Sequence, residues 1–331
     1  MAFDGSSRVV FQQPPSFIQG GLLLSALGFR RSALGFRLSA LGIGLVLGVF
    51  ACSSESREPR AHSREPWIVD GFGDTVPVRP AARIVSMMPA STEILFALGA
   101  GSRLVGRSEF DKWPDEALGV PNLGPGLRPS VETLLAARPD LVILYASEDN
   151  RAAARRLREA GIATAAFKVD SIAQFDRLTR LLGRLTGDSA RGALVADTVM
   201  RTLDSVRART RGLPRLSVVL PAYEQPLLVI GGGSFMSQLV EIAGGRNVYD
   251  SIPLPSPTVS FEDLIRRNPD LVLAPPEYAE SIRRSPRWRV LPAVRRGRVL
   301  VIDTALVYRP ATRIGEGAWS LARLLHPQLA P

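Results

Sequence analysis

The sequence predicts an α/β protein of two similar lobes, each a parallel sheet flanked by helices, joined by one long backbone helix with a ligand cleft between the lobes. Three observations carry that expectation. Residues 130–143 (S-V-E-T-L-L-A-A-R-P-D-L-V-I) recur without a gap as residues 260–273 (S-F-E-D-L-I-R-R-N-P-D-L-V-L), with Ser, Glu, Leu, Pro, Asp, Leu and Val in register. A period this long implies two lobes, because solenoid and propeller units recur every ~20–50 residues and need three or more copies. Strand and helix patterns alternate around both copies, as in a parallel sheet sheathed by helices. Between the copies, residues 188–211 lack proline and place Val195, Val199, Leu203 and Val206 on one helical face, which makes a rod of about 36 Å.

Taken along the chain, residues 68–70 and 75–78 flank a glycine turn and read as a hairpin, and residues 83–86 read as a strand. A helix over 92–98 closes at Gly99, and a strand covers 104–106. Each repeat copy has an N-cap serine (Ser130, Ser260), a short apolar-faced helix, a Pro-Asp stop and a buried aliphatic strand. A strand over 162–169 and a helix over 172–185 complete the first lobe. The second lobe begins with strands at 216–220 and 227–230. A glycine turn, a helix over 235–243, the second repeat copy, a strand over 298–302 and a final helix to Leu325 follow.

The N-terminal region has a different character. Arg30, Arg31 and Arg37 precede an apolar run, residues 38–51, that ends at Cys52, the one cysteine of the chain. This is the charge and length pattern of an export signal, too short to span a bilayer. S-A-L-G-F-R at Ser25 and Ser32, with S-A-L-G at Ser39, looks like duplication or a start codon set too early. Residues 53–66 carry almost no apolar side chain and read as a tether. The expected domains are a signal peptide at 1–51, a lipidated Cys52 with tether at 52–66, an N-terminal lobe at 67–187, a linking helix at 188–212 and a C-terminal lobe at 213–331.

Composition bounds function. The 331 residues are 46% hydrophobic and 22% charged with a net charge of +10, which becomes +7 when Arg8, Arg30, Arg31, Arg37 and Asp4 leave with the signal. Arginine supplies nearly all of the positive charge, scattered among carboxylates, so no basic stripe suggests nucleic acid. A lone cysteine excludes internal disulfides and cysteine-based zinc sites. With His62 in the tether and His326 near the end as the only histidines, imidazole clusters for a bare metal are excluded too. The sequence G-G-G-S at Gly231 completes neither a dinucleotide fingerprint nor a P-loop, and Ser234 has no nucleophile elbow. No catalytic constellation is predicted, and no intrinsic cofactor or metal.

Several segments together resemble the helical-backbone periplasmic binding proteins, the cobalamin and ferric-siderophore receptors of bacterial ABC importers. They are I-V-D-G-F-G-D-T-V-P-V at Ile68, R-I-V-S-M-M-P-A-S-T-E-I-L-F-A-L-G at Arg83, L-V-G-R-S-E-F-D-K-W-P at Leu104, N-L-G at Asn122, both repeat copies and the run from Gly231 to Val248. V-F-A-C at Val49 is similar to a bacterial lipobox with Phe in place of a small residue. The resemblance implies a monomeric exported lipoprotein, anchored to the membrane through Cys52, that hands a small molecule to an ABC permease dimer. It also implies that Glu132 and Glu262, matching positions of the two copies, dock on that permease.

Ligands of parallel α/β sheets bind beyond the carboxyl ends of the strands. The candidate ligand residues there are Met87, Met88, Phe110, Trp113, Arg128, Tyr145, Tyr223, Gly232, Ser234, Tyr308 and Arg309. Aromatic rings would wall a large flat ligand, and Arg128, Arg309 and Arg313 would grip an anionic chelate. The loops at 123–128 and 255–258 lack the tryptophans of cobalamin receptors, which widens the expected ligand to a ferric siderophore, a corrinoid or haem held by a tyrosine. An exported enzyme acting on a cofactor-like substrate, or a ligand-sensing lipoprotein without a permease, are the alternatives.

Overall fold

The structure, a computed structural model, describes residues 67–329. The expected signal peptide, the repeated S-A-L-G-F-R heptads, Cys52 and the tether lie outside the described residues. The described chain opens with an antiparallel hairpin of β1 (Trp67–Val69) and β2 (Thr75–Pro77), with Ile68 opposite Val76. Its turn is built by Asp70, whose carboxylate accepts from the amides of Phe72 and Asp74 at 2.8 and 3.0 Å, while Gly73 takes the φ of +86° that the turn requires.

The first sheet follows as β3 (Ile84–Ser86), α1 (Pro89–Ala97), β4 (Leu104–Arg107), α2 (Val131–Ala136), β5 (Leu141–Tyr145), α3 (Glu148–Glu159), β6 (Ala163–Phe167) and α4 (Ile172–Leu185). Its strands run parallel in the order β4-β3-β5-β6. Helices cover both faces, so L-V-I-L of β5 is buried without alternation. Pro89 starts α1 earlier than Thr92, since proline at the first helical turn has no amide to leave unpaired. A capping box between Ser171 and Gln174 starts α4, and Phe175, Leu178, Leu182 and Leu185 form its buried stripe.

The long helix α5 (Ser189–Thr210) begins at Asp188, whose side chain accepts from the Arg191 amide at 2.7 Å. Its 22 residues make a rod of about 33 Å. Val199, Leu203 and Val206 are buried as the periodicity predicts, with Val195 packed against the same core. It locks to α4 where Gly183 and Gly192 meet, since a Cβ on Gly183 would lie 2.7 Å from the Gly192 Cα.

The second sheet is made from β7 (Leu216–Val219), β8 (Pro221–Glu224), β9 (Leu227–Val229), α6 (Phe235–Ile242), β10 (Gly245–Asn247), α7 (Phe261–Arg267), β11 (Leu271–Ala274), α8 (Pro276–Arg284), α9 (Pro292–Arg295), β12 (Val299–Val301), α10 (Thr304–Val307) and α11 (Ile314–Leu325). The parallel order is β10-β7-β11-β12, the same path as in the first sheet, and β8 and β9 form a separate antiparallel hairpin. Helix α5 packs on α6 and α11 as well as on α4. The Thr210 hydroxyl donates to the Ile242 carbonyl at 2.9 Å, and Thr202 fills the space where a Cβ on Gly315 would sit. One apolar cluster therefore runs from Val76 through α4 and α5 to Leu325, and two smaller clusters fill the far faces of the sheets.

The repeat has a physical cause beyond its cap. Ser130 and Ser260 accept from the amides of Thr133 and Asp263 at 3.2 and 3.0 Å, each cap being worth about 1 kcal/mol. Arg138 and Asn268, one residue before each proline, take left-handed φ values of 49° and 43° to end the helices. Asp140 then accepts from the amides of Ala82 and Arg83 at 2.8 and 3.0 Å, and Asp270 from the amide and hydroxyl of Ser217 at 2.8 and 2.7 Å. Each Pro-Asp thus braces the start of the neighbouring first strand of its sheet.

Candidate functional site: the seam between the lobes

Segments leaving the carboxyl ends of strands in both sheets meet along one seam. From the first lobe come Glu93 on α1 after β3, Trp113 in the loop after β4, and Ile172 at the start of α4 after β6. From the second come Gln238 on α6, and Thr312 and Arg313 in the segment between α10 and α11. The Thr312 hydroxyl donates to Glu93 Oε1 at 2.5 Å and the Arg313 amide donates to the same oxygen at 3.3 Å. The Ile172 amide donates to Gln238 Oε1 at 2.9 Å. The Arg313 guanidinium lies 4.4 Å from the Trp113 ring centroid and is bonded to Glu316 at 3.0 Å.

Behind this seam the first lobe keeps two carboxylates out of water. Asp111 is fully buried and accepts from the hydroxyls of Thr92 and Ser108. Burial pushes its carboxyl above the ordinary range against the pull of those hydrogen bonds and of Arg107. Glu93 is shifted upward for the same reason, opposed by Thr312, the Arg313 amide and the charges of Arg313 and Arg309. Adjacent residues of one helix therefore point two ways: Thr92 holds the loop that carries Trp113, and Glu93 holds the other lobe.

The predicted ligand residues divide into two groups. Phe110 and Trp113 stand exposed at 52% and 38%. Tyr145 is half-buried, donates to Asp170 at 3.3 Å, and is pushed up to about 12 by burial and by Asp170. Tyr223 is half-buried on β8, and Tyr308 and Arg309 follow α10, also half-buried. Burial, with the charges of Glu277 and Tyr278, raises the Tyr308 phenol as well. Arg128 is exposed and bonded to Asp149 at 2.7 Å.

The other group serves the fold. Met87 and Met88 are 1% and 5% exposed and belong to the cores on opposite sides of the first sheet, because the strand direction continues past β3 and its side chains keep alternating. Gly232 packs against its own chain, where a Cβ would lie 1.9 Å from the Asp250 carbonyl oxygen, and its amide donates to the Tyr249 and Ile252 carbonyls. Ser234 is 4% exposed and caps α6 by accepting from the Met236 amide at 3.2 Å. The glycine run is therefore a tight packing turn with the amides of Gly231, Gly232 and Ser234 already engaged, and the ligand contacts expected of these four residues give way to packing.

Sequence reasoning passed over Glu93 and Gln238, and it took in Asp111 and Thr312 only as parts of the candidate loops 110–113 and 308–313. One signal pointed to the first: Ser91, Thr92 and Glu93 are polar residues inside an otherwise apolar helix, and all three are buried. Three concavities, of about 680, 580 and 520 Å³, lie at the amino ends of the first sheet, beside β1 and α4, and along α11. None is lined by a predicted ligand residue, and the one beside β1 and α4 reaches Phe167 and Lys168 at the carboxyl end of β6. Among the described residues no group of three or more His, Cys, Asp or Glu side chains is placed to hold a metal ion, and no helix is long and apolar enough to cross a membrane.

Glu132 and Glu262 are exposed in the first turns of α2 and α7. Hydrogen bonds from their own backbone amides hold both carboxyls below the usual range, aided by Arg156 and Ser130 for Glu132 and by Ser260 for Glu262. The pair is not equivalent, for Glu132 is bonded to Arg156 at 2.9 Å, whereas Glu262 feels Arg287 through its charge alone.

Residues 84–306 match the model of a family described as periplasmic binding protein. A vitamin B12-binding protein of Vibrio parahaemolyticus is 24% identical over 240 residues, 72% of this chain and 87% of that protein. An uncharacterized ABC transporter substrate-binding lipoprotein of Bacillus subtilis is 24% identical over 253 residues, 74% of this chain and 80% of the relative. Among solved structures, the apo periplasmic haem-binding protein of Roseiflexus sp. RS-1 superimposes with a TM-score of 0.68 at 24% identity, covering 76% of this chain and 100% of its own.

Proposed function

Because the chain belongs to the periplasmic binding protein family, we propose that it is the substrate-binding lipoprotein of an ABC importer that captures an organic metal chelate, a haem, corrinoid or ferric siderophore, and delivers it to a membrane permease. The observation that carries this reading is the seam itself, where two like sheets turn the carboxyl ends of their strands toward each other. Phe110, Trp113, Tyr145, Tyr223 and Tyr308 supply aromatic surface for a large flat ligand, and the half-buried Arg309 supplies a cation for an acidic substituent. Capture proceeds by binding, without turnover. Lipidation at Cys52 and tethering through residues 53–66 fit the relative that is named a lipoprotein.

Titrating the protein with haemin, cyanocobalamin and ferric siderophores, with tryptophan quenching and thermal shift as readouts, tests the ligand class. Saturable quenching by one of them is expected, weakened at least tenfold by Trp113→Ala; absence of binding to all three classes overturns the reading. Glu132 and Glu262 dock on the permease in this account. Glu132→Ala with Glu262→Ala is expected to leave ligand affinity and melting temperature unchanged and to abolish uptake, whereas unchanged uptake removes the docking role.

A further inference from the structure

Glu93 is 5% exposed, and the hydrogen bonds its carboxylate accepts from other side chains and loops come from the opposite lobe. We propose that Glu93 is a positioning residue, the latch that sets the width of the groove, and that the bonds from the Thr312 hydroxyl and the Arg313 amide must part before the lobes can spread to release a ligand.

Three features separate this latch from ordinary packing. First, 219 and 220 residues divide the partners, so the bonds close the largest loop of the described chain that hydrogen bonding closes. Second, the same short segment carries Arg313, whose guanidinium lies over Trp113, so one carboxylate fixes a backbone that also places a cation on an exposed ring of the first lobe. Third, Thr92 beside it is tied to Asp111 in the loop of Trp113, so the two sides of the contact are braced from neighbouring positions on α1. A charged acceptor removed from water makes bonds of roughly twice the usual strength, and its loss leaves two half-buried donors unpaired. Elsewhere along the seam the Ile172 amide bonds to Gln238, which gives an independent report of whether the lobes stay together.

This inference rests on the groove being the ligand site, but its test needs no ligand. Amide hydrogen exchange is followed in the ligand-free full chain and in Glu93→Ala, Glu93→Gln and Thr312→Val. Exchange at Ile172, remote in sequence from every substitution, is expected to rise about tenfold or more in Glu93→Ala and Thr312→Val. Glu93→Gln, which keeps an acceptor oxygen, stays within about threefold of the parent, and amides in β5 and β11 are unchanged. Thr312 is half-buried, so its valine variant serves even if Glu93→Ala does not fold. Parent-like exchange at Ile172 in the variants overturns the latch. Failure of haemin and cyanocobalamin to bind the parent instead strikes only the ligand reading.

Discussion

The two lobes share a strand path and a brace but differ where the strands end. In both sheets the second strand in sequence takes an edge, the first and third lie in the middle and the fourth takes the other edge. In both, a Pro-Asp carboxylate caps the start of the first strand. Past the carboxyl ends the likeness stops. The first lobe continues from β3 straight into α1 and buries two carboxylates, whereas the second inserts the β8–β9 hairpin and a glycine turn sealed against residues 250–255. The duplicated part makes the scaffold, and the divergent part makes the seam. Repetition in this chain therefore marks what holds the lobes up, and the ligand side has to be sought where repetition fails.

Substitutions can break that contrast, beginning with the largest effect. Gly232→Ala drives a Cβ to within 1.9 Å of a backbone oxygen that cannot swing aside, so it should cost about 3 kcal/mol in chemical denaturation. Gly119→Ala in the first lobe, where a Cβ meets nothing within 4 Å, should cost under about 1 kcal/mol. Equal losses would mean that the second-lobe turn is no more tightly closed than a first-lobe loop.

Next come the braces. Asp140→Ala and Asp270→Ala should each destabilise by about 1–2 kcal/mol, since each removes charge-assisted bonds to a strand start. Losses differing by more than about 1 kcal/mol would show that the shared geometry is not shared energetics.

The lobes should also part company with pH. Glu93 and Asp111 have carboxyls raised above their ordinary 4.5 and 3.8, so the folded protein binds their protons more tightly than the unfolded chain does. Stability should accordingly rise as pH falls through their raised values toward the ordinary ones. Asp270 is held below 3.8 by Ser217, so its contribution is present above that value and is lost as pH falls through the lower folded value. Melting temperature against pH should climb into mild acid and then drop. Glu93→Gln should flatten the climb, and Asp270→Asn should soften the drop. A monotonic fall in the parent would contradict the raised values.

The caps contribute less than the braces. Ser130→Ala and Ser260→Ala should cost about 1 kcal/mol each, read as equal shifts in denaturation midpoint.

How much of this was legible beforehand follows from the range of each interaction. Strands β5 and β11, the caps of α2 and α7, and the whole of α4 and α5 lie in local patterns of aliphatics, serines and periodicity, and the structure places them within a residue or two of their expected positions. Strand β10 was not legible, because Gly-Arg-Asn has little strand preference and is held by pairing with β7. The polar helix α3 escaped notice because its buried stripe is mostly alanine. Of the expected ligand residues, Phe110 and Trp113 are exposed, whereas Met87, Met88 and Ser234 are buried and Gly232 is closed against its own chain, a choice that only packing against distant segments makes.

By itself the amino-acid order determined the elements, their duplication and the stiff rod between them, because caps, helical stops and apolar periodicity act over a few residues. The tertiary structure alone decided which of the expected side chains are buried and that Glu93 reaches across 219 residues to Thr312. Burial and pairing between segments far apart in the chain depend on how two sheets are set against each other, and no local pattern encodes that relation.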